Sequence, residues 1–102
     1  GATKALAKTY VDALRTRANT STVLEGTLTL DFILDERSRE LHWEGQRRTD
    51  LIRFGKFTGG SYVWPWKGNV SGGAPTQSYR NLFPIPATAL SSNQKLQQNP
   101  GY

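Results

Sequence analysis

Apolar residues near the start of the chain recur at steps of three and four, the spacing of one helix face. Within residues 3–18, "TKALAKTYVDALRTRA", this stripe consists of Leu6, Tyr10, Ala13 and Leu14, and Arg17 continues the same spacing. Alanine, leucine, lysine and arginine dominate the segment and favour helix. The pattern predicts an amphipathic helix over residues 3–18, which ends at Asn19 in a polar connecting loop.

A second helix is predicted over residues 29–56. Its apolar positions are Leu30, Ile33, Leu34, Leu41, Leu51, Ile52 and Phe54. Thr29 is a suitable N-cap, and acidic residues come early and basic residues late, as the helix dipole favours. Gly45 interrupts the segment at a cost of about 1 kcal/mol relative to alanine. We expect this glycine to admit the close approach of another backbone or of a large side chain.

The hydrophobic pattern has no sustained period from Gly59 to the last residue. This stretch contains all five prolines and repeated Gly-Gly pairs, so we expect irregular backbone with one short helical turn near residues 87–90. Its aromatic and aliphatic residues are too numerous for a disordered segment. The pattern predicts an all-α protein in which residues 3–56 are a helical scaffold and residues 57–102 are a tail that wraps a larger body.

The net charge of the 102-residue chain is +5, but the distribution of the charge argues against a nucleic-acid interface. Most arginines lie within residues 37–53, where acidic residues alternate with them and neutralise their field locally. Lys67, Arg80 and Lys95 are scattered over a segment without acids. We therefore predict no nucleic-acid partner.

Candidate metal and cofactor chemistry is sparse. The chain has no cysteine and one histidine, His42, which makes a poor zinc site. Phosphate loops, nucleophile elbows and metal-ligand spacings are absent from the sequence, so we predict no metal and no cofactor.

The hydropathy of the chain also predicts no membrane insertion of its own. No run approaches the roughly 20 apolar residues of a membrane span, and no basic-then-apolar leader opens the chain. We expect these residues neither to cross a membrane nor to carry an export signal. The start at Gly1 without an initiating methionine suggests a piece of a longer protein.

Three glutamates recur at four-residue steps, about 6 Å apart along a helix axis, and paired carboxylates perform glycoside hydrolysis. Nearby arginines favour the charged form of these carboxylates, whereas a general acid must hold a proton. We therefore predict no catalytic residue and interpret the segment as a buried or half-buried polar network that joins helix to tail. Its members are Glu36, Arg39, Glu40, Glu44, Arg47, Arg48 and Asp50.

The stretch "YVWPWKGN", residues 62–69, is the candidate ligand-binding segment. The C–H face of a sugar packs on aromatic rings while its hydroxyls seek polar partners, which makes Tyr62, Trp64, Trp66 and Asn69 candidate ligand-binding residues. Lys67 is a further candidate donor. The alternative is that the two tryptophans anchor the tail in the core, and the residues alone favour that structural role.

Two longer stretches carry a family resemblance. "DERSRELHWEGQRRTDLIRFGKF" (35–57), followed by "NLFPIPATALSSNQKLQQNPGY" (81–102), resembles the C-terminal end of the SusD/RagB family of outer-membrane nutrient-binding lipoproteins. The helix ending "RTRAN" resembles the preceding helix of the family, so the likeness covers essentially the whole chain. "RRTDLIRFGKFTGG" and "WPWKG" are most similar to the starch-binding branch.

The resemblance implies a body of tetratricopeptide-like helix pairs, of which this chain is the C-terminal fragment. It further implies a surface-exposed outer-membrane lipoprotein whose lipid anchor and main sugar-binding residues lie upstream. Such a protein binds oligosaccharide or polysaccharide, starch-like glycan being favoured, and delivers it without catalysis to a SusC-type TonB-dependent transporter. Two alternatives stay open: a protein-interaction module that binds no sugar, and a glycoside hydrolase that uses the glutamate row.

Overall fold

The computed structural model describes residues 2–102, and within this range the regular structure is helical, with no β-strand. The α-helices of this range are α1 (Ala2–Arg17), α2 (Leu30–Glu40), α3 (Arg47–Arg53) and α4 (Ala87–Ser92). The predicted all-α class is confirmed. The chain divides into two compact units, one ending at Phe54 and the other running from Gly55 to Tyr102.

The first predicted helix, α1, ends as its sequence indicates. Asn19 adopts a left-handed conformation with φ of 53°, which asparagine tolerates better than most residues. The amide of Asn19 donates to the carbonyl of Thr16 at 3.0 Å, and the amide of Thr20 donates to the carbonyl of Arg15 at 2.9 Å. These paired bonds form a Schellman motif, which satisfies carbonyls that the helix end would otherwise leave unpaired.

The loop after α1 is tied back to the helix by Asp12. The carboxylate of Asp12 accepts hydrogen bonds from the Lys8 ammonium and from the Val23 amide, the latter at 3.0 Å. Both bonds hold the pKa of Asp12 below its ordinary value of 3.8, and the bond from Lys8 has a larger effect than the bond from Val23. Asp12 therefore stabilises the turn of the chain from α1 towards α2.

The prediction of one continuous helix over residues 29–56 is wrong, because α2 ends at Glu40 and α3 begins at Arg47. Trp43 and Gly45 between them have φ of 65° and 73°, values that a right-handed helix excludes. A Cβ placed at Gly45 would have no atom within 4 Å. Gly45 thus serves the geometry of the turn, which glycine enters at little cost, and not a close approach.

The start of α2 agrees with its sequence. Thr29 has extended backbone, and its hydroxyl oxygen accepts a hydrogen bond from the amide of Phe32 at 3.0 Å. The predicted N-cap is therefore confirmed. The buried apolar side chains of this unit are Val11, Leu28, Leu34 and Leu51. They come from α1, α2, α3 and the connecting loop, so one small core joins these segments.

The second unit has irregular backbone with the predicted short helix, here α4. Its last residues bond to an earlier stretch through side chains. The amide group of Gln98 accepts from the Ile85 N–H at 2.8 Å and donates to the Ile85 carbonyl at 2.9 Å. Asn99 Nδ2 donates to the Phe83 carbonyl at 2.7 Å, and the Tyr102 hydroxyl donates to the Leu82 carbonyl at 2.7 Å. Side chains thus satisfy backbone groups that a neighbouring strand would otherwise satisfy.

The end of this tail also packs on an aromatic ring. The rings of Tyr79 and Tyr102 meet edge to face with centroids 4.8 Å apart. A Cβ on Gly101 would lie 2.4 Å from Cγ of Tyr79, so a glycine is required there. The side chains of Leu82 and Phe83 are still exposed within the unit. That the tail wraps a larger body stays a prediction.

We predict that Asp12→Asn destabilises the protein more near neutral pH than in acid. The folded pKa of Asp12 is lowered, so its stabilisation is fully present above the ordinary pKa of an aspartate and is lost as the pH falls through the folded pKa. Urea unfolding of the protein and of the variant, at neutral pH and below about pH 3, measures the difference. Equal differences at both pH values would contradict the assignment.

We predict that Gln98→Ala loosens the end of the chain, because both backbone groups of Ile85 lose their partner. The free energy of unfolding should fall by about 1–2 kcal/mol, and hydrogen exchange at the Ile85 amide should accelerate. The matched control is Gln97→Ala, since Gln97 is exposed. Equal exchange rates at Ile85 in the two variants would argue against this role of Gln98.

Candidate functional site

Two of the three glutamates, Glu36 and Glu40, form ion pairs between α1 and α2. Glu36 is buried, and its Oε2 accepts from Arg15 Nη1 of α1 at 3.1 Å and from Arg39 Nε of α2 at 3.0 Å. Glu40 pairs with Arg17, also from α1. The spacing along one helix predicts nearby arginines as partners, and Arg39 is one, whereas Arg15 and Arg17 come from the neighbouring helix. These carboxylates therefore hold two helices together.

A second group of polar contacts joins α3 to α2. Arg37 Nε donates to Oδ2 of the buried Asp50 at 2.9 Å. Arg47 Nη1 donates to the Leu34 carbonyl at 2.8 Å, and Arg47 Nη2 lies 3.7 Å from Asp35 Oδ1. These bonds explain how α3 can pack beside α2 after the turn.

The predicted network is not buried or half-buried throughout, because Arg39 and Glu44 are exposed. Glu44 is exposed in the turn between α2 and α3, and Arg48 is half-buried in α3. The ion pairs described above all lie within residues 2–54. The connection of this network to the tail stays a prediction.

The histidine considered for metal binding lies on the surface. His42 is exposed, and its ring meets the ring of Trp43 at 6.1 Å between centroids. Within residues 2–102 no cluster of three potential metal-ligating side chains from histidine, cysteine, aspartate or glutamate occurs. Over the same residues no helix has the length and apolar character to span a bilayer.

The candidate ligand-binding residues form an aromatic loop, the name used here for residues 62–69. The rings of Tyr62 and Trp64 meet edge to face, with centroids 5.8 Å apart and planes at 61°. Trp64 is 41% exposed and Trp66 is 66% exposed. Asn69 is exposed at the other end of the loop. Within this unit, Trp64 and Trp66 are exposed and Tyr62 is half-buried, so the two tryptophans do not anchor a core of the unit.

Lys67 lies at the centre of the aromatic loop and is 5% exposed. Its Nζ donates to the Tyr62 carbonyl at 2.9 Å and to the Phe57 carbonyl at 3.2 Å. The same Nζ lies 4.7 Å from the centroid of the Trp64 ring. The prediction of Lys67 as a donor to a ligand is wrong, because Lys67 is buried and its ammonium donates to carbonyls of this chain.

The backbone of the aromatic loop is tightly constrained. Trp66 and Asn69 have φ of 68° and 61°, which are uncommon values for residues with a Cβ and persist only when the surroundings hold them. A Cβ at Gly73 would lie 2.3 Å from the Trp64 carbonyl oxygen and 2.3 Å from Val63 Cγ1. Gly73 therefore allows a second segment to lie directly against the main chain of Trp64.

The sequence indicates the rings of this site but not the role of Lys67 and Gly73, which hold the loop. Lys67 and Gly73 have no periodicity that would indicate burial, because the loop is irregular. The one available signal is the cluster of glycines around "WKGNVSGG", which indicates tight turns and close backbone approach.

The comparisons with known proteins agree with the resemblance in the sequence. A model of the SusD family matches residues 1–102. The chain is 42% identical over 92 residues to the starch-binding protein SusD of Bacteroides thetaiotaomicron, an alignment that covers 90% of this chain. The chain spans 16% of the length of that relative.

We predict that Glu36→Gln lowers the free energy of unfolding by about 1–3 kcal/mol, because Arg15 and Arg39 lose their charged partner between the helices. Glu25→Gln is the matched control at an exposed position, with an expected change within about 0.5 kcal/mol. Denaturant unfolding measures both. Similar values for the two variants would contradict the role of Glu36.

Proposed function

This chain belongs to the SusD family, and on that premise we propose that it is part of a longer protein that binds a glycan at the cell surface. The family match along the whole chain supports this proposal. The relative with 42% identity is named as a starch-binding protein. A starch-like glycan is therefore the favoured ligand.

The observation that supports a direct part for this chain is the exposure of the aromatic loop. Tyr62, Trp64 and Trp66 are large rings on a constrained backbone, and two of them lie substantially in solvent. Ligand sites combine such apolar surfaces with a few polar groups that orient the ligand, and Asn69 supplies a polar group at the end of this loop. We propose that these four residues contribute a stacking contact, while the main sugar-binding residues lie elsewhere in the longer protein.

The rest of the chain has a supporting part in this proposal. Residues 3–56 contribute helical scaffold to a tetratricopeptide-like SusD body, and residues 57–102 form an irregular tail that wraps a larger body of the longer protein. The longer protein is held at the outer membrane by a lipid anchor outside this segment. It passes its glycan to a SusC-type TonB-dependent transporter.

The proposed role is binding without catalysis. Glu36 and Glu40 are engaged in ion pairs with arginines of the scaffold. A glycosidase needs two carboxyl groups that both face the glycosidic bond. Glu36 and Glu40 are thus better placed for joining helices than for cleaving such a bond.

We predict that the full-length protein gives heat of binding with maltoheptaose and none with cellohexaose in isothermal titration. The double variant Trp64→Ala with Trp66→Ala should bind maltoheptaose roughly tenfold more weakly, because the stacking surface is removed. Trp43→Ala is the matched control, since Trp43 is an exposed tryptophan of the other unit. It should leave the affinity unchanged.

Each of the other outcomes of this titration leads to a different conclusion. No heat with any glycan would contradict glycan binding and favour the protein-interaction alternative. Unchanged affinity in the loop variant would remove the aromatic loop from the site while leaving the function intact. Release of new reducing ends from maltoheptaose would contradict the non-enzymatic role.

A further inference from the structure

Lys67 is a buried charge that the proposed sugar contact does not itself use. Burying an ammonium is costly unless it is fully bonded, so its retention calls for a structural or functional reason. We propose that Lys67 is a positioning residue, which holds one face of the Trp64 indole so that the opposite face is presented to a neutral carbohydrate. This inference rests on the proposed function.

The ammonium of Lys67 is held by two carbonyls and by the Trp64 ring. An ammonium has three N–H donors, and two directions are occupied by the carbonyls of Phe57 and Tyr62 at 3.2 and 2.9 Å. The Nζ also lies over the Trp64 ring at 4.7 Å from the centroid, within the range of a cation–π interaction. One face of the indole is therefore covered by a charge that is itself fixed by backbone.

Residues around Trp64 also hold it in place. The Tyr62 carbonyl accepts from Lys67, and the rings of Tyr62 and Trp64 are in edge-to-face contact. The amide of Lys67 donates to the carbonyl of Trp64 at 3.1 Å. Gly73 lies against the main chain of Trp64 from another side. The side chain and the backbone of Trp64 are thus both held, and yet 41% of the residue is exposed.

The consequence for binding is preorganisation. A mobile surface side chain loses rotamer freedom when a ligand immobilises it, and this loss opposes binding. Because Lys67 already holds the indole, a sugar ring that stacks on the exposed part of Trp64 meets a surface of defined orientation. In this proposal the sugar packs its apolar C–H face on the ring.

The test is a double-mutant cycle in the full-length protein, with maltoheptaose as the probe in isothermal titration. Lys67→Met should weaken binding roughly threefold to tenfold, and Trp64→Ala should weaken it at least as much. The variant with both substitutions should bind no more weakly than Trp64→Ala alone, because Lys67 acts through Trp64. Thermal unfolding verifies that each variant is folded.

The cycle separates positioning from a general loosening of the loop. Loosening would make Lys67→Met weaken binding further in the Trp64→Ala background, and additive effects would therefore overturn the inference. Wild-type affinity of the Lys67→Met variant would overturn it as well. Should that variant not fold, Lys67→Gln enters the same cycle, because its amide still donates to a carbonyl but carries no charge.

The proposed function fails in a distinguishable way. Lack of binding by the unmodified protein would overturn both glycan binding and this inference. Binding that Trp64→Ala leaves unchanged would overturn the stacking contact, and the inference with it, while glycan binding stands. Weaker binding by Trp64→Ala together with unchanged binding by Lys67→Met would overturn the role of Lys67 alone.

Discussion

The structure depends on satisfying charges that are buried in two small units. Glu36 and Asp50 are buried in the first unit and Lys67 in the second, and a buried charge that lost its partners would cost several kcal/mol. Arginines from α1 and α2 surround the carboxylates, and backbone carbonyls bind the ammonium. Among the residues described, no buried side-chain nitrogen or oxygen lacks a partner. With so few buried apolar side chains, these bonds determine which segments pack together.

The need to pair buried charges separates the side chains that hold the structure together from those available to a ligand. Glu36 and Glu40, two of the three carboxylates that suggested catalysis, are engaged between helices, so their chemistry serves the scaffold. The two tryptophans of the aromatic loop are exposed while Lys67 is buried. A surface that offers apolar rings on a rigid backbone, with the ions turned inward, suits the recognition of a neutral, hydroxyl-rich ligand. The proposed glycan-binding role and the buried lysine are thus two consequences of one arrangement.

In the tail, side chains are the hydrogen-bond partners of backbone groups. Its prolines prevent regular pairing of strands, so backbone groups near Ile85 need other partners. Gln98, Asn99 and Tyr102 provide them from side chains, and Gly101 lets the backbone lie against Tyr79. The final "QQNPGY" can therefore be understood as a fastening within its own unit. This explains why a stretch with no hydrophobic period still has a defined structure.

Features that depend on neighbouring residues could be predicted from the sequence: helix α1 and its end at Asn19, the cap at Thr29, the short α4, and the motifs that indicate the family. The rings of Tyr62, Trp64 and Trp66 were also evident at that level. The break around Gly45 follows from the three-dimensional structure, because a glycine is compatible with both a helix interior and a left-handed turn. The partners of Glu36 and the burial of Lys67 likewise depend on contacts between residues far apart along the chain, which no local spacing records.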